Sequence, residues 1–572
     1  MSAWDQEVDV LVVGSGAGGM TAALFAAAEG LSVQLIEKDR YYGGTSAVSG
    51  GGIWIPCNHQ IERLGGSDSE DEAREYLAHL TGGEVSQARL HAYIRHARDM
   101  VCALQDRFGV RFEAIPIYPD YFPDAPGGKP GYRTMEPAEF DASLLGEALE
   151  QQRPAYPGTL LLGRLSMGQV DAHTMLCRTS GWVGLFLKLL ARYWGDLAWR
   201  RKTRRDRRMR LGQALVGSLR HALQQQGVDV QLNTGLTDLI SEEGRVIGAV
   251  LEQDGEARRV RARHGVVLAC GGFESNQQMR EQYLPAPTQR AWTAAPDINH
   301  GDGIRAGQAL GAATRFMHLT WGTPTMAVPG VAQATGLFVE RACPHGLMVN
   351  GQGARFCNEA GPYTEIIYAM YADHEKTGAT VPCWFICDAD YRKNYPLGPM
   401  MPANIQPDSR LPPEWEGEVY FRADSLEALA AQTGIDAAGL TASVARYNDA
   451  AQTGKDAEFG KGENVFDRYY GDPRCRPNPC LGPVARAPFY AVKIHPGELG
   501  TKGGLDADEA GRVLRDDGAV IPGLYAVGNT SAAVMGRTYA GPGATLGPAM
   551  TFAYLAARDM AQAATGKLAS AA

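Results

Sequence analysis

The chain lacks several features that would place it in other classes of protein. No run of 18 apolar residues offers a membrane-spanning helix, and a net charge of −9 gives no general attraction to nucleic acid. The ten cysteines form no Cys-x-x-Cys pair, and the nearest couples, at 383–387 and 475–480, have no histidine at metal-ligand spacing. The N-terminus shows no basic-then-apolar signal sequence. We therefore expect a cytoplasmic protein with free thiols and no metal site.

Glycine, in contrast, is abundant, and its first cluster lies in a dinucleotide-binding pattern. An apolar stretch at 8–13 predicts a buried strand, and Gly-x-Gly-x-x-Gly follows it at 14–19. A helix is predicted over 17–29, and a second strand over 32–37 ends in Glu37. These glycines permit a tight turn, close approach of a pyrophosphate and packing of helix on strand, while the acidic residue can bind a ribose hydroxyl.

Further glycine clusters recur far along the chain. The run at 43–52 contains the hydroxyl residues Thr45, Ser46 and Ser49, and other clusters occur at 265–273, 521–529 and 541–547. Residues without a large side chain let the backbone lie flat against a planar ligand. A helix that starts after the last cluster can present backbone N–H groups to an electron-rich ring edge.

With these motifs the chain resembles, over nearly its whole length, the flavoprotein family of fumarate reductases, succinate dehydrogenase flavoprotein subunits and 3-ketosteroid dehydrogenases. The resemblance implies FAD as the cofactor. Family succinate dehydrogenases attach FAD through a histidine in the region matching 43–52, and this chain has no histidine between 41 and 58, so the resemblance implies non-covalent FAD. The residues expected to bind it are Gly14, Ser15, Gly16, Ala17, Gly18, Gly19, Glu37, Lys38, Gly44, Thr45, Ser46, Ser49, Gly50, Gly51, Gly52, Ala269, Gly271, Gly272, Gly528, Asn529, Ala544, Thr545 and Leu546.

The expected fold class is α/β, with a Rossmann-like FAD-binding domain and a second, α+β catalytic domain inserted into it. At 572 residues the chain is too long for one compact core. The predicted FAD-binding domain comprises 1–286 and 489–572, and the catalytic domain 287–488. Two separate strands are predicted at 259–262 and 266–270, and the chain is expected to return to the FAD-binding domain at 489–493.

The residues that face the flavin separate the members of this family. Fumarate-type reductases hold a dicarboxylate with the His and Arg of a His-Gly-x-x-Arg arrangement, where this chain has Met535 and Tyr539. A carboxylate substrate requires a bidentate cation, whereas an apolar residue and a phenol suit a ketone on an apolar skeleton. The stretch 535–545, with Gly-Gly-Thr-Ser-Ala from Gly43, Pro-Asp-Tyr-Phe around Tyr121 and Asn-Glu-x-x-Pro-Tyr ending at 363, closely resembles the 3-ketosteroid Δ1-dehydrogenases.

The resemblance implies 1,2-desaturation of a 3-ketosteroid, with these catalytic residues. The Tyr539 hydroxyl and the Gly543 backbone N–H donate to the C3 oxygen, an oxyanion-hole role. Tyr363 accepts the C2 proton, helped by a hydrogen bond from Tyr121, and flavin accepts the C1 hydride. We favour Tyr121 over the nearby Tyr118 because of its Pro-Asp-Tyr-Phe setting. Reduced FAD then passes its electrons to a quinone-type acceptor.

Three alternatives remain open at this stage. The first is a 3-ketosteroid Δ4-(5α)-dehydrogenase, which the Tyr539 stretch disfavours. The second is a reductase of unsaturated carboxylates, kept alive by Arg537. The third is a non-catalytic flavin-binding or electron-transfer subunit, for which the sequence offers no second redox centre.

The segment 181–210 combines aromatic and basic residues in an unusual way. Tryptophans, a tyrosine and leucines crowd 182–199, and eight Lys and Arg residues lie within 200–210. Aromatic rings at a lipid interface next to cations that meet anionic headgroups are what a monotopic membrane anchor needs. We therefore predict peripheral membrane contact here, on the cytoplasmic face. The alternative is a partly buried helix followed by a solvated basic surface.

Overall fold

A computed structural model describes residues 4–566, so the ends of the predicted FAD-binding domain, 1–3 and 567–572, lie outside the described residues. The strands are β1 (Gln6–Val13), β2 (Val33–Ile36), β3 (Ile53–Trp54), β4 (Phe112–Ala114), β5 (Thr134–Pro137), β6 (Phe140–Asp141), β7 (Arg208–Met209), β8 (Val230–Gln231), β9 (Thr234–Glu242), β10 (Arg245–Gln253), β11 (Glu256–Leu268), β12 (Thr314–Arg315), β13 (Thr320–Met326), β14 (Thr335–Gly336), β15 (Gly346–Val349), β16 (Cys383–Cys387), β17 (Tyr420–Ala423), β18 (Phe489–Thr501), β19 (Gly504–Leu505), β20 (Arg512–Leu514) and β21 (Val520–Ala526).

The helices, in chain order, are α1 (Ala17–Ala28), α2 (Glu70–Thr81), α3 (Gln87–Phe108), α4 (Ala148–Gln151), α5 (Gln169–Leu176), α6 (Trp182–Gly195), α7 (Leu197–Arg200), α8 (Leu211–Gln225), α9 (Gln277–Tyr283), α10 (Asp302–Ala309), α11 (Tyr363–Thr377), α12 (Ala389–Asn394), α13 (Leu426–Thr433), α14 (Ala437–Thr453), α15 (Val465–Tyr469) and α16 (Leu546–Ala564).

The larger sheet has eight strands and a parallel centre. Its strand order is β20-β21-β11-β1-β2-β8, and β10 and β9 extend it from β11. The contacts of β1 with β11 and β2 are parallel, as are those of β11 with β21 and of β2 with β8. Helix α1 is apolar and almost wholly buried, as a helix between a sheet and a second helix must be. The predicted α/β fold class with a Rossmann-like sheet is confirmed.

One detail of this sheet differs from the prediction. The predicted strands at 259–262 and 266–270 are one strand, because β11 runs without a break from Glu256 to Leu268 and pairs with β1 over 260–268. The last two residues of the second stretch, 269–270, lie beyond β11. The charged residues of its first half alternate with buried ones, so the strand is half exposed where β10 pairs with it and fully buried where β21 does. The change in polarity along β11 marks a change in the strand that packs beside it, and β11 itself continues.

The second sheet corrects the expected return point at 489–493. Its order is β14-β13-β18-β16-β15, with β17 also on β18. Because β18 pairs with β13, β16 and β17, residues 489–493 belong to this sheet. The chain rejoins the parallel sheet only at 512–526, through β20 and β21. The remaining extents of the two domains stay a prediction.

The segment 181–210 forms the predicted short helix and a turn back to β7. Helix α6 buries Leu189 and Tyr193 and leaves its other apolar side exposed. Part of the basic run is internal, since Arg205 donates to the carbonyls of Leu149 and Gln152. Over residues 4–566 no helix combines the length and apolar character needed to cross a bilayer.

Candidate active site

A large cavity lies between the parallel sheet and the second sheet. Its volume is about 1610 Å³, more than the roughly 300–1,000 Å³ of a typical small-molecule site. The predicted cofactor residues that line it are Gly14, Ser15, Gly16, Ala17, Gly18, Glu37, Lys38, Gly44, Thr45, Ser46, Ser49, Gly50, Gly51, Gly52, Ala269, Gly271, Gly528, Asn529, Thr545 and Leu546. The four predicted catalytic residues, Tyr121, Tyr363, Tyr539 and Gly543, line the same cavity.

Two glycines show why this wall is built from backbone. Gly14 has φ +104°, and a Cβ there would lie 2.3 Å from the Ala269 carbonyl oxygen. Gly543 has φ +93°, and a Cβ there would lie 2.5 Å from the Cα of Ile53. Only glycine fits both positions without moving main chain. The turn after β1 and the loop before α16 can therefore approach a ligand closely.

The donors and acceptors at the end of β2 suit the ribose and phosphates of a dinucleotide. Glu37 Oε2 accepts hydrogen bonds from the backbone N–H and the hydroxyl of Ser15, at 3.1 and 2.6 Å. The hydroxyl of Ser46 accepts from the N–H of Ala17, at 3.0 Å, at the start of α1. The carboxylate of Glu37 is thus fixed at the end of β2, and both it and the N-terminus of α1 line the cavity, in the arrangement that a dinucleotide site needs. The residues present fit FAD, and no histidine is among those lining the cavity.

Three predicted cofactor residues, Gly19, Gly272 and Ala544, do not line the cavity. Gly19 packs against the Gly14 carbonyl, where a Cβ would lie 1.9 Å from the oxygen, so it joins helix to strand behind the ligand site. Gly272 faces Thr501, and Ala544 is fully buried. The packing of Gly19 agrees with the role of the third glycine of the motif, which is to let helix pack on strand.

The first trio, Tyr121, Tyr363 and Tyr539, is assembled from three distant parts of the chain. Their ring centroids are 5.0, 5.4 and 5.7 Å apart, and each pair meets edge to face. The hydroxyl of Tyr121 donates to that of Tyr363 over 2.9 Å. Tyr363 is the first residue of α11, so the helix fixes the backbone from which its side chain extends.

The shared hydrogen bond separates the acidities of these two phenols. Burial raises the pKa of both well above the usual value of about 10. Because Tyr121 donates, the bond raises the pKa of Tyr121 further and lowers that of Tyr363. The bond between them therefore favours negative charge on Tyr363 over Tyr121, while the hydrogen bond of Tyr363 with Tyr539 opposes that charge by raising the pKa of Tyr363.

The hydroxyl of Tyr539 also accepts hydrogen bonds from the loop that follows it. The Thr545 hydroxyl donates to the Tyr539 oxygen over 3.2 Å. Burial raises the pKa of Tyr539, and hydrogen bonds from Thr545, Tyr363 and the Gly543 backbone oppose that rise. The Gly543 N–H and the Tyr539 hydroxyl therefore lie next to each other on the wall of the cavity.

The loop that carries Tyr121 is tied to the loop that carries Tyr539. The N–H of Tyr121 and the hydroxyl of Tyr76 both donate to the Ala540 carbonyl, at 3.0 and 2.6 Å. Next to Tyr121, the carboxylate of Asp120 accepts from the Arg133 guanidinium over 2.8 Å, and both side chains are buried. The relative position of two phenols is thus set by main-chain contacts and a buried ion pair.

A second trio, Tyr118, Tyr469 and Tyr470, lies nearby and was not predicted. Tyr118 stacks on Tyr469 with centroids 4.4 Å apart and planes 9° apart. Its hydroxyl lies 3.1 Å from that of Tyr470, which accepts from Gln169 over 2.7 Å. Tyr118 and Tyr470 line the cavity. No local pattern marks this trio, because Tyr118 and Tyr470 are 352 positions apart.

Residues 299–302, predicted to belong to the catalytic domain, contribute to the cofactor wall. Asn299 donates to the Thr45 hydroxyl over 2.9 Å and to Glu274 over 2.6 Å, and Asp302 pairs with Lys38. Both Asn299 and Asp302 line the cavity. The signal available in the sequence was the Asn-His-Gly-Asp-Gly motif at 299–303.

The mouth of the cavity has an apolar rim. Its members are exposed yet line the cavity, and they are Leu162, Trp182, Val183, Leu187, Val331, Met401 and Ile405. Large exposed apolar patches mark binding surfaces. The rim comes from four segments and includes one side of α6.

Comparison with known proteins gives consistent matches over the whole chain. A family described as FAD binding domain matches residues 9–546. A 3-oxosteroid 1-dehydrogenase of Mycolicibacterium smegmatis is 44% identical over 571 residues, 98% of each chain, and one of Comamonas testosteroni is 43% identical over 561 residues, 97% of each. The crystal structure of the 3-ketosteroid Δ1-dehydrogenase from Sterolibacterium denitrificans in complex with 1,4-androstadiene-3,17-dione is 51% identical, with a TM-score of 0.95, covering 98% of this chain and 100% of that chain.

Proposed function

Since the chain belongs to the FAD-binding flavoprotein family of the 3-oxosteroid 1-dehydrogenases, we propose that it desaturates the C1–C2 bond of a 3-ketosteroid. The observation that carries this proposal is the first trio beside Gly543 in a largely apolar cavity. A phenol pair joined by a hydrogen bond can remove a proton, and the third phenol with a backbone N–H can polarise a ketone.

The chemistry divides between the cofactor and the chain. FAD, when bound by the glycine-rich wall, supplies an acceptor for the hydride that leaves C1. Tyr539 and the Gly543 N–H donate to the C3 oxygen, which makes the C2 proton acidic. Tyr363 takes that proton in its ionised form, and the hydrogen bond from Tyr121 stabilises this ionised form before the transfer. Loss of one hydride and one proton leaves the C1=C2 double bond.

The alternative of a reductase for unsaturated dicarboxylates has weaker support. Arg537, the one cation in the matching motif, is exposed, stacks over the Tyr368 ring at 4.4 Å and is not a lining residue of the cavity. Met535 is fully buried. A dicarboxylate would therefore lack the bidentate cation it requires at this position.

The test is anaerobic mixing of the FAD-loaded protein with a 4-en-3-one steroid, followed by product analysis. We expect bleaching of the flavin absorbance and formation of the 1,4-dien-3-one. Bleaching only with a 5α-saturated 3-ketone, yielding the 4-ene, would favour the Δ4-(5α) reaction instead. Absence of bleaching with any ketosteroid would contradict the proposal.

For reoxidation we propose a quinone-type acceptor that enters through the apolar rim. The support is the apolar character of the mouth, which suits a quinone as well as a steroid. Rapid mixing of the anaerobically reduced protein with a short-chain quinone should restore the oxidised flavin spectrum. Restoration by oxygen alone, unaffected by quinone, would contradict this assignment.

We further propose that the rim docks on an anionic lipid surface. Trp182, Val183 and Leu187 project from α6 beside the mouth, and Arg201, Lys202 and the nearby Arg204 are exposed after it. Apolar side chains that enter the lipid interface next to cations facing the headgroups give reversible binding. A steroid dissolved in lipid would then reach the cavity without crossing water.

Vesicle flotation tests this docking. The full chain should float with phosphatidylcholine vesicles that contain phosphatidylglycerol, and less with phosphatidylcholine alone. A variant with Val183→Ser and Leu187→Ser should stay in the soluble fraction. The matched control carries Leu64→Ser and Leu144→Ser, which are also exposed but do not line the cavity, and should float. Flotation of the first variant at the level of the unsubstituted chain would contradict docking through the rim.

A further inference from the structure

Lys502 is a buried lysine whose amino group contacts the backbone that leads into Tyr539. It follows directly after β18 and its side chain has no solvent exposure. Its ammonium donates to the carbonyl oxygens of Arg537 and Thr538, each over 2.6 Å. The Thr538 carbonyl belongs to the peptide bond that leads into Tyr539. Both bonds are therefore made to the backbone that carries the ketone-binding phenol.

The third direction of the ammonium is also occupied. Its nitrogen lies 4.5 Å from the centre of the Trp321 ring, in cation–π range. Trp321 in turn packs edge to face on Tyr539, with centroids 4.7 Å apart, and donates to Asn529 over 3.1 Å. The amino group thus contacts the backbone next to Tyr539 on one side and, on the other, Trp321, which packs against the Tyr539 ring.

The same backbone is tied to the helix that carries Tyr363. The Tyr368 hydroxyl, on α11, donates to the Arg537 carbonyl over 2.7 Å. This oxygen therefore accepts from both Lys502 and Tyr368. A shift of the Tyr539 loop would break contacts to β18 and to α11 together.

Burial of an ammonium group without a bonded carboxylate is costly. Burial lowers the pKa of Lys502 to about 7, and the neighbouring Glu365 opposes this effect while Arg537 adds to it. A neutral side chain of similar length would avoid the cost if the site only needed filling. What the ammonium supplies, and a thioether cannot, is donation to two adjacent carbonyls at once.

We propose that Lys502 is the positioning residue of Tyr539, fixing its backbone so that its hydroxyl and the Gly543 N–H meet one substrate oxygen. The inference rests on the proposed function. Misplacement of a reacting group by about 1 Å costs about 100-fold in rate, so Lys502→Met should lower kcat for the steroid by about 100-fold while KM changes little. The milder change Tyr368→Phe removes one donor to the Arg537 carbonyl. It should lower kcat by a smaller factor than Lys502→Met.

The test uses infrared difference spectra of a bound 1,4-dien-3-one labelled with ¹⁸O at C3, in the FAD-loaded protein. Donation from Tyr539 lowers the carbonyl stretching frequency, so Tyr539→Phe should move the band toward that of the free steroid. Lys502→Met and Tyr368→Phe should move it partway. Lys461→Met is the matched control, since Lys461 is equally buried and donates to the Gly346 carbonyl over 2.8 Å, and the band should stay in place.

The outcomes separate the two claims. A band that moves in Tyr539→Phe but stays in place in both Lys502→Met and Tyr368→Phe overturns the role of Lys502 and leaves the proposed function standing. A band that moves as far in Lys461→Met as in Lys502→Met also overturns it, because general destabilisation would then explain the shift. A band unaffected by Tyr539→Phe contradicts the proposed function itself.

Discussion

The two trios of buried tyrosines offer a direct comparison. Both contain a hydroxyl-to-hydroxyl contact, at 2.9 Å in the first trio and 3.1 Å in the second, and burial raises the pKa of all six phenols. Residue type and burial therefore do not distinguish them. The difference lies in what each hydroxyl faces.

In the first trio the rings meet edge to face, and their hydroxyls converge beside the backbone of Gly543 and the side chain of Thr545. In the second trio Tyr118 and Tyr469 stack flat, and the hydroxyl chain ends at the amide of Gln169. The other two pairs of the second trio also meet edge to face, so the contrast between the trios lies in the partners of their hydroxyls and not in ring packing alone. The comparison supports the proposal that the reaction takes place at the first trio and that the second trio supports the cavity wall.

The largest of the effects that would sharpen this comparison is expected for Tyr539→Phe. The change removes a donor to the ketone oxygen, and loss of one oxyanion-hole donor typically costs about 10²- to 10³-fold in kcat. Steady-state turnover of a 4-en-3-one steroid with a dye acceptor measures it, with FAD content as the control for folding. Turnover within a few-fold of the unsubstituted protein would remove Tyr539 from the mechanism.

A smaller effect, visible in the pH profile, is expected for Tyr121→Phe. Activity requires ionised Tyr363, so kcat/KM should rise with pH as Tyr363 loses its proton. The hydrogen bond from Tyr121 lowers the pKa of Tyr363, so its loss raises that pKa and moves the rising limb to higher pH. A hydrogen bond to a charged group is worth about 1.5–3 kcal/mol. At pH values below the pKa of Tyr363, kcat/KM should therefore fall by roughly 10- to 100-fold.

Tyr118→Phe is the matched control for this profile, because it removes a phenol hydroxyl three positions earlier that bonds Tyr470 instead. Its rising limb should coincide with that of the unsubstituted protein. An equal shift in both variants would mean that the two trios act as one network, and the distinction between them would fail.

The smallest effect on catalysis is expected for Tyr470→Phe. The change removes hydrogen bonds to Tyr118 and Gln169, so the free energy of unfolding should fall by about 1 kcal/mol while kcat is retained. Urea unfolding and steady-state turnover on the same preparation separate the two quantities. A loss of kcat without a loss of stability would place the second trio in the reaction.

Local sequence predicted the cofactor wall better than the surroundings of the tyrosines. The turn at 14–19 and the acid Glu37 lie within one strand-helix-strand unit, so their spacing along the chain fixes their spacing in the fold. Of the predicted cofactor residues, only Gly19, Gly272 and Ala544 do not line the cavity. A sequence pattern does not show which way each backbone unit of a loop turns.

The tyrosine surroundings depend on contacts between distant segments, which no local pattern reveals. The first trio could be named only through resemblance to a family, and Tyr470 and Lys502 carried no signal at all. Lys502 lies 35 and 36 positions from the carbonyls that it binds. The return at 489–493 was misplaced for a related reason, because an apolar strand such as β18 fits either of two sheets.

The central claim is that the first trio, and not the second, takes the substrate proton. The most direct measurement is the single-turnover rate of flavin reduction by a 4-en-3-one steroid in Tyr363→Phe and Tyr470→Phe, side by side under anaerobic conditions. We predict that Tyr363→Phe slows reduction by about 10³-fold or more, within the range for loss of a general base, and that Tyr470→Phe reduces its flavin as fast as the unsubstituted protein. Rapid reduction in Tyr363→Phe, or an equal loss in both variants, would contradict the account.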